Sequence, residues 1–132
     1  MKEVLDTRFF AAHYASRDAD ILEWTRSKIS ALRRERRGLV PSIVVAEVAH
    51  FLCAKAGRRA ALAQIRAIAQ SGLELVPLGS EIAGQAGMTK CAHRDVPIAD
   101  CIIAATALRA DACVVSDDDH FRRIKGLRVI WI

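Results

Sequence analysis

Aromatic residues are scarce in this chain of 132 residues, with four Phe, two Trp and one Tyr. Phe9, Phe10, Tyr14, Trp24, Phe51, Phe121 and Trp131 mostly occupy apolar-face positions. They read as core or interface and supply no platform on which nucleobases could stack. Cysteine is also sparse, at positions 53, 91, 101 and 113, and lacks the close pairing of a zinc ribbon. Cys91-Ala92-His93 comes nearest to ligand spacing, but no second pair completes it. Cys53, Cys101 and Cys113 lie in apolar runs and are expected to be buried, reduced thiols. No apolar stretch is long and uncharged enough to cross a bilayer. The start, Met1-Lys2-Glu3-Val4-Leu5-Asp6, is charged at once and has no signal-peptide core. There is no internal repeat, low-complexity tract or linker. These absences leave a soluble, cytoplasmic protein, with residues 1–132 as one domain, as the expectation.

What is present suits that expectation. Apolar residues make up 52 % of the chain, and its length allows a substantial core without staples. The net charge of +5 and pI of 9.4 suit a phosphate-rich partner without requiring one.

Val4 and Leu5 predict a short strand ending at Asp6, then a helix from Thr7 to Ser16. Asp18 caps a second helix through Ile21, Leu22, Trp24, Ile29 and Leu32 to a stop at Gly38. After Leu39-Val40-Pro41, Ser42 is the expected N-cap of a third helix, Ile43 to Ala56. A fourth runs from Arg58 to Ser71, and Leu73 to Pro77 alternates like a strand. Ser80 caps a fifth helix, broken in character by Gly84 and Gly87, and Pro97 opens a sixth, Ile98 to Arg109. Ala112 to Val115 predicts a buried strand. Phe121 and Ile124 fit a short helix, and Leu127 to Ile132 a last strand. Short apolar strands alternating with helices predict a three-layer α/β/α sandwich around a mostly parallel sheet of four to five strands.

Ligands of open α/β sheets bind at the carboxyl ends of the strands. Asp6 and the run Ser116-Asp117-Asp118-Asp119 each follow a strand directly. Two further carboxylates stand out by context. Glu47 is the only charged residue between Pro41 and Lys55, and Asp100 opens the apolar run Cys101-Ile102-Ile103-Ala104-Ala105. A buried, unpaired carboxylate is costly, and neither run contains a Lys or Arg to offset it. A divalent cation held by several carboxylates would neutralise them together, with Mg²⁺ or Mn²⁺ the natural choice. Such an ion suits phosphodiester hydrolysis. Three of these features also have a plainer use: Asp6 as a helix cap, Asp100 as an acceptor in a first helical turn, and the acidic run as a solvated turn, whereas mid-helix burial gives Glu47 no capping role.

Four segments together resemble the PIN domain, and within it the VapC-type toxins of VapBC toxin–antitoxin pairs. They are Val4-Leu5-Asp6-Thr7, Pro41 to Val48 around Glu47, Val96 to Ala107 around Asp100, and Val114 to Phe121 with Ile124-Lys125-Gly126-Leu127. The resemblance spans nearly the whole chain. It implies a metal-dependent endoribonuclease acting on RNA, a homodimer, and inhibition by a cognate VapB-type antitoxin. It also implies that Asp6, Glu47, Asp100 and Asp118 hold Mg²⁺ or Mn²⁺, with Ser116 as a nearby hydroxyl and Thr7 beside Asp6. Asp117 and Asp119 are reserves for the fourth position. His120 stands where many relatives carry another Asp; a turn role is expected for it, with tuning of the site or contact with phosphate as the alternative.

Arg33, Arg34, Arg36 and Arg37 make the end of the second helix basic, either as a track for the RNA backbone or as a solvated face suited to the helix dipole. The apolar third and fourth helices could form a dimer face or an antitoxin groove. A receiver-like module would need an acceptor Asp after a central strand, which Leu73 to Gly79 does not supply. A haloacid-dehalogenase-like phosphatase would want Asp where Arg8 stands. Within the resembling family, an RNA-processing nuclease or a non-catalytic RNA- or protein-binding module is the alternative.

Overall fold

A computed structural model describes residues 1–132. Five strands and six helices follow in the order β1 (Glu3–Leu5), α1 (Thr7–Ala15), α2 (Ala19–Glu35), β2 (Gly38–Pro41), α3 (Ser42–Ala56), α4 (Arg58–Ala69), β3 (Glu74–Val76), α5 (Ser80–Ala92), α6 (Ile98–Arg109), β4 (Cys113–Val115) and β5 (Val129–Ile130). A 3₁₀ turn, Asp119–Arg123, lies between β4 and β5. The sheet order is β3-β2-β1-β4-β5, and every pairing is parallel. The mostly parallel sheet expected from sequence is thus parallel throughout.

Every connection between parallel neighbours must cross over, and such crossovers are right-handed. Successive steps from β1 to β3 run one way along the sheet, and the step from β3 to β4 runs back past β1. That reversal sends α1 to α4 to one face and α5 and α6 to the other. Both faces are therefore covered, and the central strands are apolar runs with no alternation. Phe9, Phe10, Leu5, Leu32, Ile103 and Phe121 are the largest side chains wholly removed from water. Trp24 meets Phe9 edge-on at 5.8 Å and Trp131 at 4.9 Å, so the last residues are tied to α2.

Several local expectations are corrected. Leu39-Val40-Pro41, to which the sequence pattern assigns no element, lies in the inner strand β2, fully buried between β1 and β3. Gly38 opens it because a Cβ there would come within 2.5 Å of a Leu73 methyl. The second helix ends before Gly38, at Arg36, whose left-handed backbone (φ 55°) lets the Arg36 and Arg37 N–H groups return to Arg33 and Leu32. Pro41, not Ser42, occupies the cap of α3, and the Ser42 hydroxyl instead accepts the Leu78 N–H at 3.1 Å. Gly79 takes the place expected for Ser80 at the start of α5. That helix runs unbroken through Gly84 and Gly87, both of which face open space. The last strand shrinks to Val129–Ile130. Cys101 and Cys113 are buried, but Cys53 joins Cys91 on the surface, because it lies one position round the helix from the buried face formed by Val44, Val48 and Leu52. No helix is long and apolar enough to cross a membrane.

Candidate active site

Strand order reverses between β1 and β4, the one place where connections leave the sheet in opposite directions. A crevice opens there at the carboxyl ends of the strands. Asp6 leaves β1 on one side of it, and Ser116 leaves β4 on the other.

Asp6 is 2 % exposed and plays two parts. Its side chain caps α1 by accepting the Arg8 N–H, so the plainer reading of this residue also holds. It also accepts the Ser116 hydroxyl at 2.6 Å, across the β1–β4 pair. Burial pushes its carboxyl from 3.8 up to about 6, against the Ser116 hydroxyl and the Thr7 and Arg8 N–H groups, which pull it down. The charge of Asp100 pushes it up as well.

Asp100 sits in the first turn of α6. Its oxygen lies 2.9 Å from His120 Nδ1, and the same nitrogen lies 3.2 Å from Asp118 Oδ1. Burial raises the Asp100 carboxyl pKa, His120 opposes this, and the charges of Asp118 and Glu47 add to the rise. Asp118 is held from both ends, because its N–H donates to Ser116 Oγ at 3.0 Å and its carboxylate accepts the His120 N–H at 2.9 Å. Ser116 thereby joins Asp6 to Asp118.

Glu47, half-buried on α3, accepts the Thr7 hydroxyl at 2.6 Å. The two halves of the crevice wall, α1 and α3, are tied by that bond. Asp117 points away and pairs with Arg8, while the exposed Asp119 has no bonded partner. Of the three consecutive Asp residues, Asp118 is the one that enters the cluster.

The four expected carboxylates therefore lie around one crevice, with Asp100, Asp118 and His120 in closest association. One donor atom from each of those three lies within 4.8 Å of the others. No Lys or Arg forms an ion pair with Asp6, Glu47, Asp100 or Asp118. Clustered carboxylates, with the pKa of Asp6 and of Asp100 raised and no Lys or Arg among them, are a donor set that fits a hard divalent cation.

The PIN domain family matches residues 4–127. The chain belongs to that family. As a PIN domain it resembles in fold a chain of the VapBC2 complex of Rickettsia felis bound to a DNA fragment from their promoter. The TM-score is 0.77 and identity 18 %, over 99 % of this chain and 98 % of that one. A chain of DNA-bound VapBC from Salmonella typhimurium gives 0.76 and 22 %, over 99 % and 98 %. VapC20 of Mycobacterium tuberculosis, described as a sarcin-ricin loop cleaving toxin, gives 0.69 and 19 %, over 94 % and 95 %. No curated protein matches the chain by sequence.

His120, expected first as a turn residue with a part in tuning the site as the alternative, faces the carboxylates. Arg8 reaches Asp117 across 109 positions, which no local pattern foretells. The basic end of α2 lies elsewhere. α2 runs into the start of β2, so Arg33, Arg34, Arg36 and Arg37 gather at the amino edge of the parallel sheet, opposite the crevice. Arg37 is engaged there by Glu3 and Glu35. The largest surface depression, about 530 Å³, lies along Arg58, Arg59, Leu62, Ala63 and Arg66 of α4 and holds no carboxylate. Chemistry is assigned to the acidic crevice because that is where ionisable groups converge.

Proposed function

We infer that the chain is a metal-dependent endoribonuclease, the toxin of a toxin–antitoxin pair. The observation that carries this reading is the convergence of Asp6, Glu47, Asp100 and Asp118 on the switch-point crevice of a PIN domain without a Lys or Arg partner. The sarcin-ricin loop cleaving toxin among the structures of like fold supports RNA as substrate, and the VapBC complexes support an antitoxin partner. A net charge of +5 favours a polyanion. The reading includes a homodimer and a VapB-type antitoxin.

Asp6, Asp100 and Asp118 would hold Mg²⁺ or Mn²⁺, with Glu47 bound directly or through water. When bound, the cation supplies Lewis-acid stabilisation of a phosphodiester and makes water a competent nucleophile near neutral pH. The chain's own part is to orient the ligands. Ser116 fixes one Asp6 oxygen and the Asp118 backbone together, and Thr7 fixes Glu47. Both hydroxyls donate to carboxylates and serve to position them, and no protein nucleophile is required. Burial holds the Asp6 carboxyl pKa up to about 6 in the metal-free crevice, so cation binding displaces its proton at lower pH and weakens as pH falls. Cleaved RNA should carry 5′-phosphate and 3′-hydroxyl ends.

End analysis of RNA treated with the protein in Mg²⁺ or Mn²⁺ tests the chemistry. Chelation should stop cleavage, and cutting that persists in chelator or leaves 2′,3′-cyclic ends contradicts the reading. Induced expression in bacterial cells tests the toxin assignment, since normal growth with active nuclease contradicts it.

A further inference from the structure

We propose that His120 is itself a ligand of the divalent cation, through Nδ1, and makes the centre a mixed nitrogen–oxygen site selective for Mn²⁺ over Mg²⁺. This rests on the nuclease reading above and specifies its metal.

Spacing is the first argument. Neighbouring ligands of an octahedral ion with bonds of about 2.1 Å lie about 3.0 Å apart. His120 Nδ1 lies 2.9 Å from Asp100 Oδ2 and 3.2 Å from Asp118 Oδ1, so each separation matches one edge of such an octahedron. A single Nδ1 proton satisfies one of those oxygens well. A cation satisfies the nitrogen and both oxygens at once.

Rigidity is the second. The Asp118 carboxylate caps the 3₁₀ turn by accepting the His120 N–H at 2.9 Å, which sets carboxylate and imidazole side by side. Phe121, the next residue, is wholly buried and anchors the turn. The ring is thus held against the carboxylates by the backbone as well as by its own hydrogen bond.

Selectivity follows from donor chemistry. Mg²⁺ favours oxygen ligands and keeps much of its water, whereas imidazole binds first-row transition ions more readily. An all-carboxylate centre discriminates weakly between Mg²⁺ and Mn²⁺. Replacing one oxygen ligand by imidazole nitrogen tips the balance to Mn²⁺. As ligand, the ring carries its proton on Nε2.

Calorimetric titration of the metal-stripped full chain with MnCl₂ and with MgCl₂, without RNA, tests the proposal, alongside electron spin-echo envelope modulation of the Mn²⁺-loaded protein. Wild type should bind Mn²⁺ at least about tenfold more tightly than Mg²⁺ and give ¹⁴N modulation. His120→Ala should lose about tenfold or more in Mn²⁺ affinity, with Mg²⁺ changed less than about threefold, and should lose the modulation. His120→Asp should bring the two affinities together. Mn²⁺ bound with no ¹⁴N modulation, or equal losses for both ions, overturns the proposal. The nuclease reading then survives if Asp100→Asn still abolishes binding. Failure of folded wild type to bind either ion overturns both. The spectrum of wild type needs no variant to fold.

Discussion

Ser116 Oγ donates to Asp6 Oδ2 at 2.6 Å and accepts the Asp118 N–H at 3.0 Å, so one hydroxyl spans the crevice between β1 and β4. This bond pulls the Asp6 carboxyl pKa down while burial pushes it up to about 6. Ser116→Ala removes the downward pull, and Asp6 should then ionise at higher pH. Metal-dependent cleavage near pH 6.5 should fall about tenfold, with partial recovery at higher pH. A pH–rate profile checks this, and an unshifted profile contradicts the assigned role.

The raised Asp6 pKa has a consequence for stability. A carboxyl whose folded pKa lies above its unfolded value favours the fold while it is protonated. Its contribution is complete below the unfolded value of 3.8 and is lost as pH rises through about 6. Asp6→Asn, which keeps the helix cap, removes that loss. The metal-free variant should exceed wild type by about 2–3 kcal/mol at pH 8 and match it near pH 4. Urea denaturation of metal-stripped protein at the two pH values measures the difference.

At the opposite edge of the sheet, Glu3 receives Lys28 Nζ at 2.8 Å and Arg37 Nη1 at 3.1 Å. Removing the carboxylate strands Lys28, which is largely buried, while Arg37 keeps Glu35. Glu3→Ala should cost about 2 kcal/mol, less than a fully buried pair because Arg37 reaches water. Thermal unfolding checks it. Metal affinity should not change, since no crevice residue touches Glu3.

Charge reversal at Arg33 and Arg34 probes the basic end of α2. These side chains lie across the sheet from the carboxylates, so kcat should stay within about twofold. If they track RNA, KM rises and its dependence on salt flattens. A large loss in kcat would place them closer to the chemistry than the topology allows.

Asp6 and the run from Ser116 to Asp119 were legible because a strand end delivers the residues that follow it to the crevice whatever the packing. Glu47 and Asp100 were legible because each is a lone charge in an apolar helix. The three consecutive Asp residues left one place of ambiguity, which only the direction of the turn after β4 resolves. The contact of His120 with Asp100 was not legible, since its ring reaches over 20 positions through a rotamer choice. Strand β2 was hidden by its brevity and by Pro41, which reads as a break yet sits at the strand's last position. The caps expected at Ser42 and Ser80 failed because backbone geometry began each helix one residue earlier.

The most direct test of the nuclease account is cleavage of a panel of structured RNAs, with and without Mn²⁺ or Mg²⁺, by wild type and Asp100→Asn. The substitution keeps the side chain's shape and removes its charge from the centre of the cluster. Metal-dependent cutting by wild type should fall by at least about 100-fold in the variant. Equal cutting by both proteins, or none by a folded wild type that binds no metal, would contradict the account.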